Sequence, residues 1–224
     1  MRQRVLLCCE KPIIAAGFSA LLRQEPDIEI IGEATGERVL GATERLSPDA
    51  ILVVAPALTI IKHQRELATL AKLAKVILIA KTENVHRSIE VLRIGVSAVL
   101  SLDTSSAQLI HALRLVSTGD LLILPEDARD AFRPFPTSPQ SADSASAGAN
   151  LLTSREKQVV LLLARGSSNA EIAKELSVSM TTIRSHVHNV LRKLDVGTRA
   201  QAVAIAYESG LITEIETEDN ARRP

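Results

Sequence analysis

Three polar side chains in the last third of the chain have the types and spacing needed to hydrogen-bond with the edges of base pairs. Arg184, Ser185 and His188 lie one and four residues apart, which places them on one face of a helix. An arginine can donate two hydrogen bonds to a guanine, a serine suits either kind of base, and a histidine can donate or accept one turn further along. These residue types and spacings predict direct contacts with base pairs in the major groove of double-stranded DNA.

Hydroxyl and cationic side chains around this face suit phosphate oxygens, which need only hydrogen-bond donors or positive charge. The residues expected to contact phosphates are Thr182, Arg192, Lys193, Thr198 and Arg199. A simpler interpretation is that Arg184, His188 and Arg192 form the solvated face of an amphipathic helix. The surrounding pattern decides between the two interpretations.

The helix that carries these residues has an apolar stripe on its other side, which would face a core. The stripe consists of Ile183, Val187, Val190, Leu191 and Leu194. A shorter helix over residues 169–176 comes before it, and a turn of only three residues, 177–179, joins the two helices. Two helices joined in this way form a helix-turn-helix, whose second helix lies in the major groove with its N-terminal half nearest the bases.

Start signals divide residues 151–213 into four helices. In a capping box, a hydroxyl residue and the Glu or Gln three positions later each bond the backbone amide of the other. The pattern occurs three times, at Thr153 with Glu156, Ser168 with Glu171, and Thr198 with Gln201. In addition, Ser179 can cap the third helix and Gly210 can end the fourth. The sequence therefore predicts an all-α domain of four helices.

Four motifs in this segment carry a resemblance to the LuxR/NarL type of DNA-binding domain, over about 62 residues. They are Leu-Thr-x-Arg-Glu at 152–156, Glu-Ile-Ala at 171–173, Thr-Ile-x-x-His-Val at 182–187, where the family has Thr-Val-x-x-His-Val, and Leu-x-Lys-Leu at 191–194. The resemblance implies that Arg184, Ser185 and His188 occupy the base-facing positions. It leaves His186 with either a packing role or a contact to the DNA backbone.

The last helix of this domain, over residues 200–207, is apolar on more sides than the surface helix of a monomer needs. In the family this helix usually supplies a dimer contact; alternatively it only completes the four-helix core. A dimer would bind two half-sites on promoter DNA. The partners expected are therefore double-stranded DNA, and a second copy of this chain or a related response regulator.

The first 125 residues alternate short apolar runs with amphipathic stretches. Strands are predicted over residues 4–9, 29–33, 50–54, 76–80 and 98–100, and helices over 13–24, 37–46, 66–73, 87–94 and 107–117. Five such alternations predict an α/β domain in which a five-stranded parallel sheet is covered on both faces. This part resembles the flavodoxin-like (CheY-like) receiver of NarL-type response regulators.

In such receivers, acidic residues hold magnesium, an aspartate accepts a phosphoryl group, and a hydroxyl and a lysine assist. The corresponding positions in this chain are Cys9, Glu10, Val54, Ala80 and Leu102. A valine has no lone pair with which to attack phosphorus. Between Asp49, which precedes the third strand, and Asp103 there is no other aspartate. The resemblance therefore implies a degenerate receiver that is not phosphorylated.

Three modes of control remain open for such a receiver: permanent dimerisation, heterodimerisation with a regulator whose pocket is intact, and binding of a small molecule in the apolar remains of the pocket. The adjacent Cys8 and Cys9 could sense redox state, although a buried cysteine is more often a small apolar filler. Actinobacterial developmental and antibiotic-pathway regulators include receivers of this kind. A second hypothesis is an interaction module that binds DNA only together with a partner regulator.

Composition sets the outer limits of function. The chain has 46% apolar residues but only 2% aromatic ones, which disfavours single-strand binding by stacking. Its net charge is zero, yet residues 151–213 carry eight Lys and Arg against five Asp and Glu. Residues 126–150 are rich in Pro, Ser and Ala and are predicted to form a flexible linker, and residues 214–224 an acidic tail.

Several classes of function are disfavoured by what the chain lacks. No signal peptide, membrane span, nucleophile set, phosphate loop or cluster of metal ligands is recognisable in the sequence. We expect no enzyme activity, no metal, no cofactor and no membrane partner. The expected location is the cytoplasm, in association with the nucleoid.

Overall fold

The structure is a computed structural model that describes residues 2–36, 38–54, 64–80, 88–117 and 151–212. The predicted linker at 126–150 and the predicted tail at 214–224 lie outside these residues, so the domain boundaries stay predictions. Among the described residues, no helix is both long and apolar enough to cross a bilayer.

The N-terminal part is built on a parallel sheet, because its strands are short apolar runs joined by helices. The strands are β1 (Gln3–Cys9), β2 (Ile28–Ala34), β3 (Ala50–Val54), β4 (Lys75–Ala80) and β5 (Ala98–Ser101). Their order in the sheet is β2-β1-β3-β4-β5, and every neighbouring pair is parallel. The predicted five-stranded parallel sheet is confirmed.

Helices cover both faces of this sheet. They are α1 (Pro12–Leu22), α2 (Arg38–Leu46), α3 (Gln64–Leu73), α4 (Ser88–Arg93) and α5 (Ser106–Ser117). Because successive strand residues point to opposite faces, Leu7 packs with α1 and α5 while its neighbour Leu6 packs with α2 and α3. Both leucines are fully buried, so the sheet is the centre of a three-layer domain.

The C-terminal part contains four helices, as predicted. They are α6 (Ser154–Ala164), α7 (Asn169–Glu175), α8 (Met180–Lys193) and α9 (Arg199–Glu208). All three predicted capping boxes are present, Ser179 accepts a hydrogen bond from the amide of Thr182, and Gly210 follows α9 with a φ of +72°. Short-range cap chemistry therefore sets the ends of these helices.

One apolar core extends through both parts of the chain. The face of the sheet that packs with α2, α3 and α4 belongs to the same cluster of buried residues as the centre of the four-helix domain. Val91 in α4 and Val203 in α9 are both members and fully buried. The two parts are therefore in direct contact, through α4 and α9.

Candidate nucleic-acid interface

The outer face of α8 presents the three residues predicted to contact bases. Arg184, Ser185 and His188 are exposed, whereas Ile183 and Val190 on the inner side are fully buried. The hydroxyl of Ser185 donates to the carbonyl of Thr181 (3.1 Å) but is still exposed. A rigid scaffold therefore holds a polar, accessible helix face.

The turn before α8 is held from two sides. Thr182 donates its amide to the hydroxyl of Ser179 (3.1 Å), which fixes where the helix begins. Ser177 has a φ of +52°, a conformation that residues other than glycine adopt rarely, and its amide donates to the carbonyl of Lys174. The guanidinium of Arg155 in α6 donates to the carbonyl of Leu176 (2.6 Å). The role of Arg155 was not among our predictions, although it falls in the first of the four motifs.

Two of the predicted phosphate contacts are accessible at this surface. Arg192 is exposed, and among the described residues it makes one long hydrogen bond, to the side-chain oxygen of Asn189 (3.4 Å). Thr182 is half-buried and its hydroxyl lies 2.8 Å from that of Ser179. His186 is also half-buried, which is compatible with both of its proposed roles.

Lys193 is half-buried and paired within the domain. Its ammonium lies 2.6 Å from a carboxylate oxygen of Glu156, which also accepts hydrogen bonds from the amide and the hydroxyl of Thr153. Burial alone would raise the pKa of Glu156, but the bonds from Lys193 and Thr153 outweigh it and lower that pKa. Lys193 therefore joins the end of α8 to the start of α6, and its charge is already partnered.

Arg199, also predicted to contact phosphate, points inward. Its side chain is buried, and its guanidinium donates to the carbonyl of Ser167. An arginine fixed in this way acts within the fold, so Arg199 is removed from the proposed phosphate contacts. Thr198, the fifth predicted residue, is the cap of α9 and lies beside Gly95 of the N-terminal domain.

Helix α9 is covered by the N-terminal domain. The side chain of Gln201 donates to the backbone carbonyl of Arg93 (3.1 Å), and the guanidinium of Arg93 lies 3.4 Å from the carboxylate of Glu208. Burial raises the pKa of Glu208, and the charge of Arg93 offsets this only in part. Every residue of α9 is buried or half-buried. The face that was predicted to pair with a second copy is thus occupied by α4.

The residues of the predicted degenerate pocket lie where the strands end. Cys9, Val54 and Ala80 are the last residues of β1, β3 and β4, and all three are buried. Glu10 follows β1 and is exposed, and Leu102 follows β5 and is 42% exposed. Asp49 lies at the opposite end of β3, where its carboxylate accepts the amide of Arg4 (2.7 Å).

The two cysteines are packed as apolar residues. Cys8 is fully buried, and burial raises the pKa of its thiol to about 12. The thiol of Cys9 donates to the carbonyl of Lys11 (3.5 Å). Within the described ranges, no group of three or more His, Cys, Asp or Glu residues could hold a metal ion.

Comparisons with known proteins agree with this architecture. Residues 150–206 match the family of bacterial regulatory proteins, luxR family. The chain is 30% identical to response regulator protein VraR of Staphylococcus aureus, over 95% of this chain and 100% of that protein. It is 29% identical to the transcriptional regulatory protein LiaR of Bacillus subtilis, over 93% of this chain and 99% of that one.

The fold is also similar to that of a solved protein. The TM-score is 0.51 against a structure of two RcsB dimers bound to two parallel DNAs, with 93% of this chain and 99% of that chain covered. Sequence identity in this pair is only 19%.

Proposed function

The chain belongs to the response regulators that carry a LuxR-type DNA-binding domain, and from this premise we propose that it regulates transcription as a dimer whose control does not involve aspartyl phosphorylation. Its relatives are transcriptional regulators and not enzymes, which confirms the prediction of a non-enzymatic protein.

The exposed polar face of α8 is the observation that carries the proposal. Arg184, Ser185 and His188 stand on a helix whose other side is locked into a core, so their positions are fixed before DNA arrives. A helix backbone that is ordered in advance lowers the entropy cost of binding, which favours specific readout. Thr182 and Arg192 flank them and are proposed to contact phosphates, with a smaller share from Thr198 and Lys193.

The proposed mode of control rests on the chemistry of the strand ends. Val54 and Ala80 are buried aliphatic side chains with no atom that can attack phosphorus or bond a phosphoryl oxygen. Glu10 has no carboxylate beside it in the chain, and a single carboxylate holds magnesium weakly.

We expect that acetyl phosphate and magnesium will leave the mass of the intact protein unchanged. A response regulator with an aspartate at this position, treated in parallel, should gain one phosphoryl group. A phosphoryl adduct on this chain that hydrolyses as an acyl phosphate does would contradict the proposal, and peptide mapping would then identify the acceptor.

Dimer formation through the face of α9 that packs against α4 requires α4 to move away, because one face cannot pack against both partners. Glu208→Arg would place a second cation beside Arg93 and destabilise the contact. Since the pair is partly exposed, we expect only a few-fold tighter binding to promoter DNA, on the scale of a surface ion pair of about 1 kcal/mol. Fluorescence anisotropy with a labelled promoter fragment would measure it.

The reversed pair is the matched control for this prediction. Arg93→Glu alone should also tighten binding, whereas Arg93→Glu combined with Glu208→Arg restores opposite charges and should return the affinity toward that of the wild type. Equal affinities for all four proteins would mean that the contact between α4 and α9 does not limit DNA binding.

The second candidate function is an interaction module that binds DNA only in a mixed dimer. The covered face of α9 favours this candidate, because that face is not accessible to a second copy of the chain. A gel-shift titration of the purified protein against its promoter fragments separates the two. Sequence-selective binding by the protein alone, lost in Arg184→Ala with His188→Ala, supports the self-sufficient regulator. Binding that begins only when a sister regulator is added supports the interaction module.

A further inference from the structure

A cavity of about 730 Å³ opens at the carboxyl ends of β1 and β2, next to Cys9 and Glu10. Its lining combines residues after β1, the end of β2, the start of α1 and one side of α2. A magnesium ion or a phosphate would fill only a small part of this volume, since one water molecule takes about 30 Å³. The volume instead falls in the range of sites for organic molecules.

The helix side of the cavity is cationic and open. Arg38 and Arg45 lie seven residues apart in α2, which is about two turns, so both point to the same side some 10 Å apart. Gly41 and Ala42 between them are too small to fill the gap, and a Cβ at Gly41 would meet no atom within 4 Å. Neither guanidinium has a hydrogen bond or ion pair with another described residue.

The strand side of the cavity is anionic. Glu10 follows β1, and Glu33 lies in β2. The hydroxyl of the buried Ser19 donates to a carboxylate oxygen of Glu33 (2.6 Å), which fixes the position of this acid. Between the charged groups lie small apolar side chains, among them those of Pro12 and Ala15. The cavity is thus neutral overall, with its two signs of charge on different elements.

We propose that this cavity binds a zwitterionic organic molecule of the amino-acid or short-peptide class. The carboxylate of the ligand pairs with Arg45, while Arg38 adds positive charge on the same side; its ammonium pairs with Glu10 and Glu33, and an apolar side chain rests on Pro12 and Ala15. A polyanion would be repelled by the acids and a polycation by the arginines. A regulatory role for this site depends on the proposed control without phosphorylation. Ligand binding in the cavity does not depend on it.

The experiment is calorimetric titration of the full chain, without DNA, at millimolar L-leucyl-L-phenylalanine. The same dipeptide with an acetylated amine or an amidated carboxyl lacks one charge, and each form should bind roughly tenfold or more weakly, as expected for loss of a charged hydrogen bond. Arg45→Gln should weaken binding of the intact dipeptide to a similar extent. If the acetylated form bound as well as the intact one, the site would be an anion site and the zwitterion assignment would be wrong.

A cavity-filling variant locates the binding. Gly41→Leu places a side chain in the open space of the cavity, while Gly17→Leu in α1 makes the same change at a position that also has no atom within 4 Å but does not line the cavity. Binding should be lost in the first variant and kept in the second. No heat with the wild type, or equal binding by both variants, would overturn the proposal. Either result leaves the acetyl phosphate test unaffected.

Discussion

Arg184→Ala is expected to weaken binding to the preferred promoter site by roughly 5- to 150-fold, because one good bidentate contact to a guanine contributes about 1–3 kcal/mol of discrimination. Binding to unrelated DNA should change much less, so the ratio of specific to non-specific affinity falls. The side chain is exposed and has no hydrogen bond or ion pair with another described residue, so the melting temperature should stay close to that of the wild type. Anisotropy titrations on matched and scrambled fragments at one salt concentration would measure both affinities.

Arg192→Ala is the control that distinguishes sequence-specific base contacts from sequence-independent attraction to the phosphates. It removes the same charge from the same helix, two turns further on, where we propose a phosphate contact. Binding should weaken about equally on matched and scrambled DNA, and the slope of log affinity against log salt should fall by about 1. If Arg184→Ala behaved in this uniform way as well, Arg184 would be a phosphate contact and our assignment of the base-facing residues would be wrong.

The ends and faces of the helices could be predicted because their causes are local. A capping box needs only two residues three positions apart, and the inward stripe of α8 repeats every three or four residues. Both signals are complete within a dozen residues. The capping boxes are confirmed at Thr153, Ser168 and Thr198, and the stripe at Ile183 and Val190, which are fully buried. The parallel sheet followed from alternation of strands and helices in the same way.

Contacts between distant parts of the chain left no comparable signal. The apolar excess of α9 indicated a second packing partner, but it did not indicate whether that partner is another chain or α4, which lies about a hundred residues earlier. Lys193 and Arg199 illustrate the same limit for single residues. Their positive charge suggested phosphate, whereas the fold directs one to Glu156 and the other to the carbonyl of Ser167.

The cavity beside β2 shows why a site can escape prediction from a sequence even where the helices are predicted correctly. The spacing of Arg38 and Arg45 is visible, as is the glycine between them. Glu10 and Glu33, however, join them only because β1 and β2 are adjacent and parallel, with Leu7 beside Glu33. Strand register is a property of the assembled sheet and was not available from any local pattern.

Glu156→Ala is expected to destabilise the C-terminal domain by about 2–4 kcal/mol, since it removes a cap and a charged hydrogen bond together. The carboxylate is buried and accepts bonds from Thr153 and from Lys193, whose ammonium would be left without its partner. Glu171→Ala is the matched control: it removes the acid of the second capping box, which is exposed and has no lysine, and should cost about 1 kcal/mol. Urea unfolding followed by circular dichroism would measure both changes.

The pH dependence of the unfolding free energy distinguishes the contribution of the Glu156–Lys193 ion pair from that of side-chain packing. The pKa of Glu156 is below its ordinary value of 4.5 in the folded chain, so the unfolded chain binds the proton more readily. The stability that the carboxylate contributes is therefore fully present above pH 4.5 and is lost as the pH falls through the lowered pKa. The difference in unfolding free energy between the wild type and Glu156→Gln, which keeps the volume but cannot ionise, should shrink in that window. A constant difference down to pH 3 would mean that the charge on Glu156 contributes nothing to stability.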